Sequence, residues 1–135
     1  MGQRPESEVL LVNYEDAVAV CETYLRSLVS SDVEAILGLF ADDAVVEDPV
    51  GTAPRAGKDA LREFYSGAVA GVADARLTGK PRLAGGEVAF PFEVTAGEPG
   101  SQVVIAIIDV FRFNAAGKVD LMRAFWGSDN FDKPD

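Results

Sequence analysis

The stretch QVVIAIIDVFRF, residues 102–113, decides how this chain folds. It is rich in β-branched and aromatic side chains, and it is long enough for a strand that crosses a whole sheet. Period-two alternation puts Val103, Ile105, Ile107, Asp109, Phe111 and Phe113 on one face. Val104, Ala106, Ile108, Val110 and Arg112 fall on the other. Asp109 is therefore a single carboxylate among bulky apolar neighbours. Ionised there, it would lose its hydration, so its pKa is expected to rise, and a protonated carboxyl is a hydrogen-bond donor. A buried ion pair is the alternative: Arg112 lies on the wrong face, whereas Arg123 could reach.

Turn signals on both sides divide the C-terminal half into a meander. PRLA and EVAFPFEV flank Gly85-Gly86, a hairpin signal. GEPG precedes the long strand, and NAAG separates it from a last strand, KVDLMRAFW. VADARLTG alternates weakly ahead of them. The N-terminal half has helical spacing instead. From Tyr14 to Val29 the apolar positions Ala17, Val20, Cys21, Tyr24 and Leu28 recur on one stripe, flanked by Val18 and Leu25. Ser31, three residues before Glu34, predicts a capping box that restarts a short helix. Lys58 to Val69 predicts a third helix, with Ala60, Leu61, Phe64, Tyr65 and Ala68 on one side. Between them ADDAVVEDPVG reads as a strand preceded by a turn at Asp42 and Asp43, ending where the residue before Pro49 avoids helical geometry. Helices first and an antiparallel meander afterwards predict an α+β fold, a strongly curved sheet wrapped over the long helix as a cone. The length of 135 residues predicts one domain over 1–135, with the first 12 residues flexible.

Composition narrows the chemistry. With 22 acidic against 12 basic residues, a formal charge of -10, and no basic stripe, nucleic acid is an unsuitable partner. No apolar run reaches the roughly 18 residues of a membrane span, and MGQRPESEVLL lacks the order of a secretory signal, so a cytoplasmic protein is expected. Cys21 is the one cysteine, on an apolar stripe, which leaves no intrachain disulfide and no cysteine-rich zinc site. Histidine is absent altogether. No serine or cysteine nucleophile can be paired with an imidazole, and no imidazole can bind a metal. Acid–base work near neutral pH would fall to carboxylates, tyrosines or lysines tuned by burial.

Two further residues stand out on that ground. Asp48 closes an apolar strand in VVEDPVG, where it could also be an ordinary turn-initiating Asp, while Glu47 beside it points away and is expected to be solvated. Tyr24 lies on the buried stripe of the first helix, as a core tyrosine or as a donor, and Tyr65 shares the ambiguity. With Asp109, Asp48 and Tyr24 offer one base and two neutral donors in an apolar cavity. Proton abstraction beside a carbonyl needs that set, with donors aimed at the developing oxyanion, and needs no metal or organic cofactor.

From Tyr14 to Trp126 the segments DVEAILGLFADDAVVEDPVG, GKDALREFY, LTG, AFPFEV, IIDVFRF and MRAFW closely resemble, in that order, the bacterial ketosteroid isomerases, members of the nuclear transport factor 2-like superfamily of cone-shaped α+β folds. The resemblance implies that Asp48 is the general base and that Tyr24 and the protonated Asp109 hold the oxyanion, with Tyr65 behind Tyr24 and Trp126 at the end of the cavity. It implies a steroid as ligand: Asp48 would take the proton from carbon 4 of a Δ5-3-ketosteroid and return it at carbon 6. The remaining walls are expected from Val46, Phe64, Phe90, Phe92, Ile105, Ile107, Met122 and Ala124. Phe40 stands where some members carry a third networked tyrosine, and Phe90 is bulkier than is usual. A homodimer through the outer sheet face, Val104, Ala106, Ile108 and Val110, is also implied. A polyketide cyclase-like enzyme and a non-catalytic small-molecule carrier of the same superfamily are the alternatives.

Overall fold

A computed structural model of the chain describes residues 12–133. The flexibility expected of the N-terminal segment concerns residues that, Val12 apart, lie outside those described. Helix α1 (Tyr14–Ser30) is opened by Asn13, whose side chain accepts from the backbone N–H of Asp16 at 2.8 Å. It ends at Ser31, which turns left-handed at φ 57°. The apolar stripe buries as its spacing predicts, with Ala17, Cys21, Tyr24, Leu25 and Leu28 all inside.

Helix α2 (Val33–Leu37) corrects the expected capping box: Asp32, not Ser31, is the cap, and its carboxylate accepts from the N–H of Ala35 at 3.0 Å. Ser31 is already committed to ending α1. Strand β1 (Phe40–Glu47) follows, and it takes in Asp42 and Asp43, which were expected in a turn. Both are exposed where the strand's pairing is irregular, so the strand continues without burying them. A short β2 (Arg55–Ala56) leads to α3 (Lys58–Ala68).

The rest is strand: β3 (Val72–Leu77), β4 (Arg82–Ala84), β5 (Glu87–Ala96), β6 (Val103–Phe113), β7 (Val119–Phe125) and, after a 3-10 turn at Ser128–Asn130, the two-residue β8 (Phe131–Asp132). The hairpin at Gly85-Gly86 forms as its sequence predicts, both glycines having positive φ, the geometry of a tight two-residue connection. The sheet runs β2-β1-β7-β6-β5-β3, with β4 on β5 and β8 on β6. It is a large curved open sheet with three helices, the α+β architecture expected.

One pairing departs from an all-antiparallel sheet. β1 and β7 run parallel, Val46 beside Met122 and Glu47 beside Arg123. The chain leaves β1 through α3 and returns only after the meander, so its direction is not set by a hairpin. The parallel pair is what brings the end of β1 beside the end of β7. It also brings Arg123 to Glu47, 3.3 Å apart, so Glu47 is half-buried and paired where solvation was expected.

Candidate active site

Asp109 points from the middle of β6 into the hollow between sheet and helices, flanked in register by Phe90 on β5 and Ala124 on β7. It is 1% exposed, and its Oδ1 has no hydrogen-bond partner among the described residues. The ion pair that Arg123 could have made is absent because Arg123 lies opposite Val110 on the outer face of the sheet, where it pairs with Glu47. Burial pushes the carboxyl well above the ordinary range, and the negative charge of Asp48 pushes it the same way. A protonated acid with an unused oxygen in an apolar site is a donor waiting for an acceptor.

Tyr24 and Tyr65 reach the same hollow from α1 and α3. Their hydroxyl oxygens stand 3.0 Å apart, and both side chains are buried. Burial, then the neighbouring phenol and the carboxyls of Asp109 and Asp48, raise Tyr24 well above the usual phenol range. Burial does the same to Tyr65. Raised above the ordinary phenol range, both are neutral near neutral pH, so Tyr24 can donate.

Asp48 sits one residue beyond β1, and Pro49 follows it through a cis bond. The indole N–H of Trp126, just past the end of β7, donates to its Oδ1 at 2.7 Å. Desolvation raises the carboxyl, while the Trp126 hydrogen bond and the charge of Arg55 oppose that rise. The result is a carboxylate more basic than a solvated one yet still ionisable.

One cavity of about 240 Å³ is lined by all four of these residues, Tyr24, Asp48, Tyr65 and Asp109. Of the expected walls, Phe64, Phe92, Ile105, Ile107 and Trp126 line it too. Phe40, Val46, Phe90, Met122 and Ala124 do not: each is buried in the core beside it. Strand alternation identifies the inward face but not where along the strand the space lies. The space runs along Phe92, Val94 and Ala96 of β5 and Ile105, Ile107 and Asp109 of β6. Beyond Asp109 the cone is filled. Phe90 packs edge-on to Tyr24 at 6.3 Å and to Phe111 at 5.0 Å, and Phe40 lies between Tyr65 and Phe111.

Leu28, Ala68, Val72, Val94 and Ala96 also line the cavity, though none was expected as a wall from the sequence. The alternation Phe92-Val94-Ala96 and the i, i+4 step from Tyr24 to Leu28 carried the signal. Among the described residues no cluster of three or more His, Cys, Asp or Glu could hold a metal ion, and no helix is long and apolar enough to cross a membrane.

A curved sheet over a helix, with carboxyls and phenols in one largely apolar hollow, defines a cone-shaped α+β protein with an acid-lined pocket. The chain belongs to the SnoaL-like domain family of the nuclear transport factor 2-like superfamily, whose family model matches residues 21–122. It is 40% identical over 108 residues to the steroid Delta-isomerase of Nocardioides simplex, an alignment covering 80% of this chain and 87% of that protein. It is 33% identical over 110 residues to the epoxide hydrolase LasB of Streptomyces lasalocidi, covering 77% of this chain but only 39% of that protein. A solved structure of the epoxide hydrolase/cyclase-like enzyme SalBIII, which has a role in pyran ring formation in the polyether salinomycin, superposes with a TM-score of 0.78 at 30% identity. The match covers 87% of this chain and 95% of that one.

Proposed function

We propose that this protein is a steroid Δ-isomerase that converts Δ5-3-ketosteroids to their conjugated Δ4 isomers without a metal or organic cofactor. The observation that carries the reading is the buried, unpartnered carboxyl of Asp109 sharing one apolar cavity with the Tyr24–Tyr65 pair and with Asp48. The 40% identity to a steroid Delta-isomerase supports it independently.

In this mechanism the ketone enters first and accepts hydrogen bonds from Tyr24 and protonated Asp109. Asp48 removes a proton from carbon 4, the electrons pass into the C4–C3 bond, and the carbonyl oxygen becomes the dienolate oxygen. The donors strengthen as charge arrives on that oxygen, which is where they lower the barrier. Asp48 then gives its proton to carbon 6. Phe64, Phe92, Ile105 and Ile107 would hold the flat rings, and the end of the ligand far from the ketone would lie toward the mouth, since 240 Å³ falls just short of the about 300–1,000 Å³ of common ligand sites. The active species is a homodimer joined through the outer face of the sheet, a cytoplasmic protein in this reading.

A second reading deserves a place because the likeness to LasB and SalBIII favours it. The same donors could protonate an epoxide oxygen while Asp48 takes the proton of an attacking hydroxyl. A polyketide cyclase-like reaction would use the same base to form the enolate of another carbonyl substrate. The test is 5-androstene-3,17-dione followed by the rise of enone absorbance, beside a hydroxy-epoxide followed by chromatography. Wild-type protein is expected to raise the enone absorbance, and Asp48→Asn to abolish that rise while still binding steroid. No absorbance change with any of a panel of Δ5-3-ketosteroids would remove the isomerase reading, and turnover of the epoxide alone would put the second in its place.

A further inference from the structure

Arg55 is the other buried polar group without an explanation. Its Nη1 is shut off from solvent and has no hydrogen-bond partner among the described residues, and no carboxylate there pairs with it. Its guanidinium lies over the ring of Phe64, 4.5 Å from the centroid, and that ring is a wall of the cavity. The backbone fixes it there: β2 pairs antiparallel with β1, Arg55 beside Val46, two residues before Asp48.

We propose that Arg55 is a positioning residue for the base: shelved on Phe64, it holds a fixed positive charge within reach of the Asp48 carboxylate without forming an ion pair with it. The proposal rests on the reading of Asp48 as the base. A direct ion pair would tie up the carboxylate oxygens and weaken their pull on a C–H proton. With no charge at all, only the Trp126 hydrogen bond would oppose the desolvation, and the carboxyl would hold its proton to higher pH. A cation held on an aromatic face avoids both outcomes, and a guanidinium keeps its charge across the working pH range.

Every other group that faces Asp48 is uncharged in the working state. The indole of Trp126 is neutral by nature, and Tyr24 on α1, Tyr65 on α3 and Asp109 on β6 are all held protonated by burial. Glu47 and Arg123 pair with each other. Arg55 is accordingly the one charge that opposes the desolvation of Asp48.

The experiment is a 13C NMR titration of the Asp48 carboxyl in protein labelled at aspartate, assigned with Asp48→Asn, for wild type, Arg55→Met and Arg55→Lys. It is read beside the pH profile of kcat/KM for steroid isomerisation. Arg55→Met is expected to move the Asp48 midpoint to higher pH and to lose about three- to tenfold of kcat/KM on the acid limb, with less than about twofold lost on the plateau. Arg55→Lys is expected to restore most of both, because the charge and not the packing carries the effect. Should Arg55→Met fail to fold, Arg55→Gln keeps a polar head on a similar stem and serves in its place. A carboxyl titration that overlays the wild type, or a Lys variant that behaves like Met, would overturn the proposal. The titration needs no turnover, so absence of steroid isomerase activity would strike the proposed reaction while the titration still decides the role of Arg55.

Discussion

A carboxylic acid buried between aromatic and aliphatic side chains is a liability for folding, and Asp109 shows how large a one. Its pKa is raised in the folded chain, chiefly by desolvation, whereas the unfolded chain ionises it near the ordinary value. The unfolded state therefore releases a proton as pH rises from about 4, and the folded state gives up that proton only at much higher pH. The stability that Asp109 contributes is complete below the unfolded pKa and is lost as pH climbs toward the folded one. Asp109→Asn removes the linkage: its melting temperature is expected to exceed that of wild type by about 3 °C or more at pH 8, and to differ little at pH 4.5. Scanning calorimetry at both values checks the sign.

Function pulls the other way. Asp109→Ala and Tyr24→Phe are each expected to lower kcat about a hundredfold or more, as the loss of one oxyanion donor does. Tyr65→Phe, which leaves Tyr24 in place but without its 3.0 Å neighbour, should cost less, on the order of tenfold. Steady-state kinetics on the three variants would rank them.

Asp109 was legible in the sequence because one carboxylate interrupts an apolar face. Asp48 stood out less by pattern, since an Asp before Pro is ordinary at a turn, and the family resemblance supplied its role. Its partner Trp126 is 78 positions away, and only the parallel pairing of β1 with β7 brings the two together.

Elements with a local cause could be read from the sequence closely. The stripe of α1, the glycine hairpin and the alternation of β6 each follow from periodicity or backbone freedom. What escaped depended on neighbours in space. Asp32 displaced Ser31 as the cap of α2 because α1 had already used Ser31 for its left-handed end. Asp32→Ala should accordingly destabilise the fold by about 1 kcal/mol in a denaturant melt, while Ser31→Ala should not reproduce a lost N-cap. Phe40, Phe90 and Met122 were expected at the cavity from the family resemblance, yet they fill the closed end. Face is a property of one strand; depth belongs to the packing of several. For the same reason Phe40 in place of a third tyrosine leaves the hydroxyl pair at two members without opening space.

At the scale of the whole molecule the outer sheet face raises the question of assembly. Ile108 is 47% exposed and Phe125 42%, with Ala106 also exposed and Arg123 stacked over the ring of Phe125 at 5.3 Å. Two copies related by a twofold axis could bury that patch against itself. Ile108→Asp at the centre of β6 is then expected to turn a dimer into a monomer in light scattering coupled to gel filtration. A wild type already monomeric would count against the pairing.

Trp126 is the sole tryptophan in the chain, and its indole N–H rests on the carboxylate assigned as the base. Ultraviolet emission from this protein therefore originates beside a single titrating oxygen, with no second fluorophore of its kind to dilute it. Acidification should alter that glow in step with the arrival of a proton on Asp48, and a ketone settling into the hollow should quench or shift it before any bond is rearranged. The molecule comes with a built-in gauge that can be read in a cuvette, unlabelled, on the same sample whose turnover is being timed.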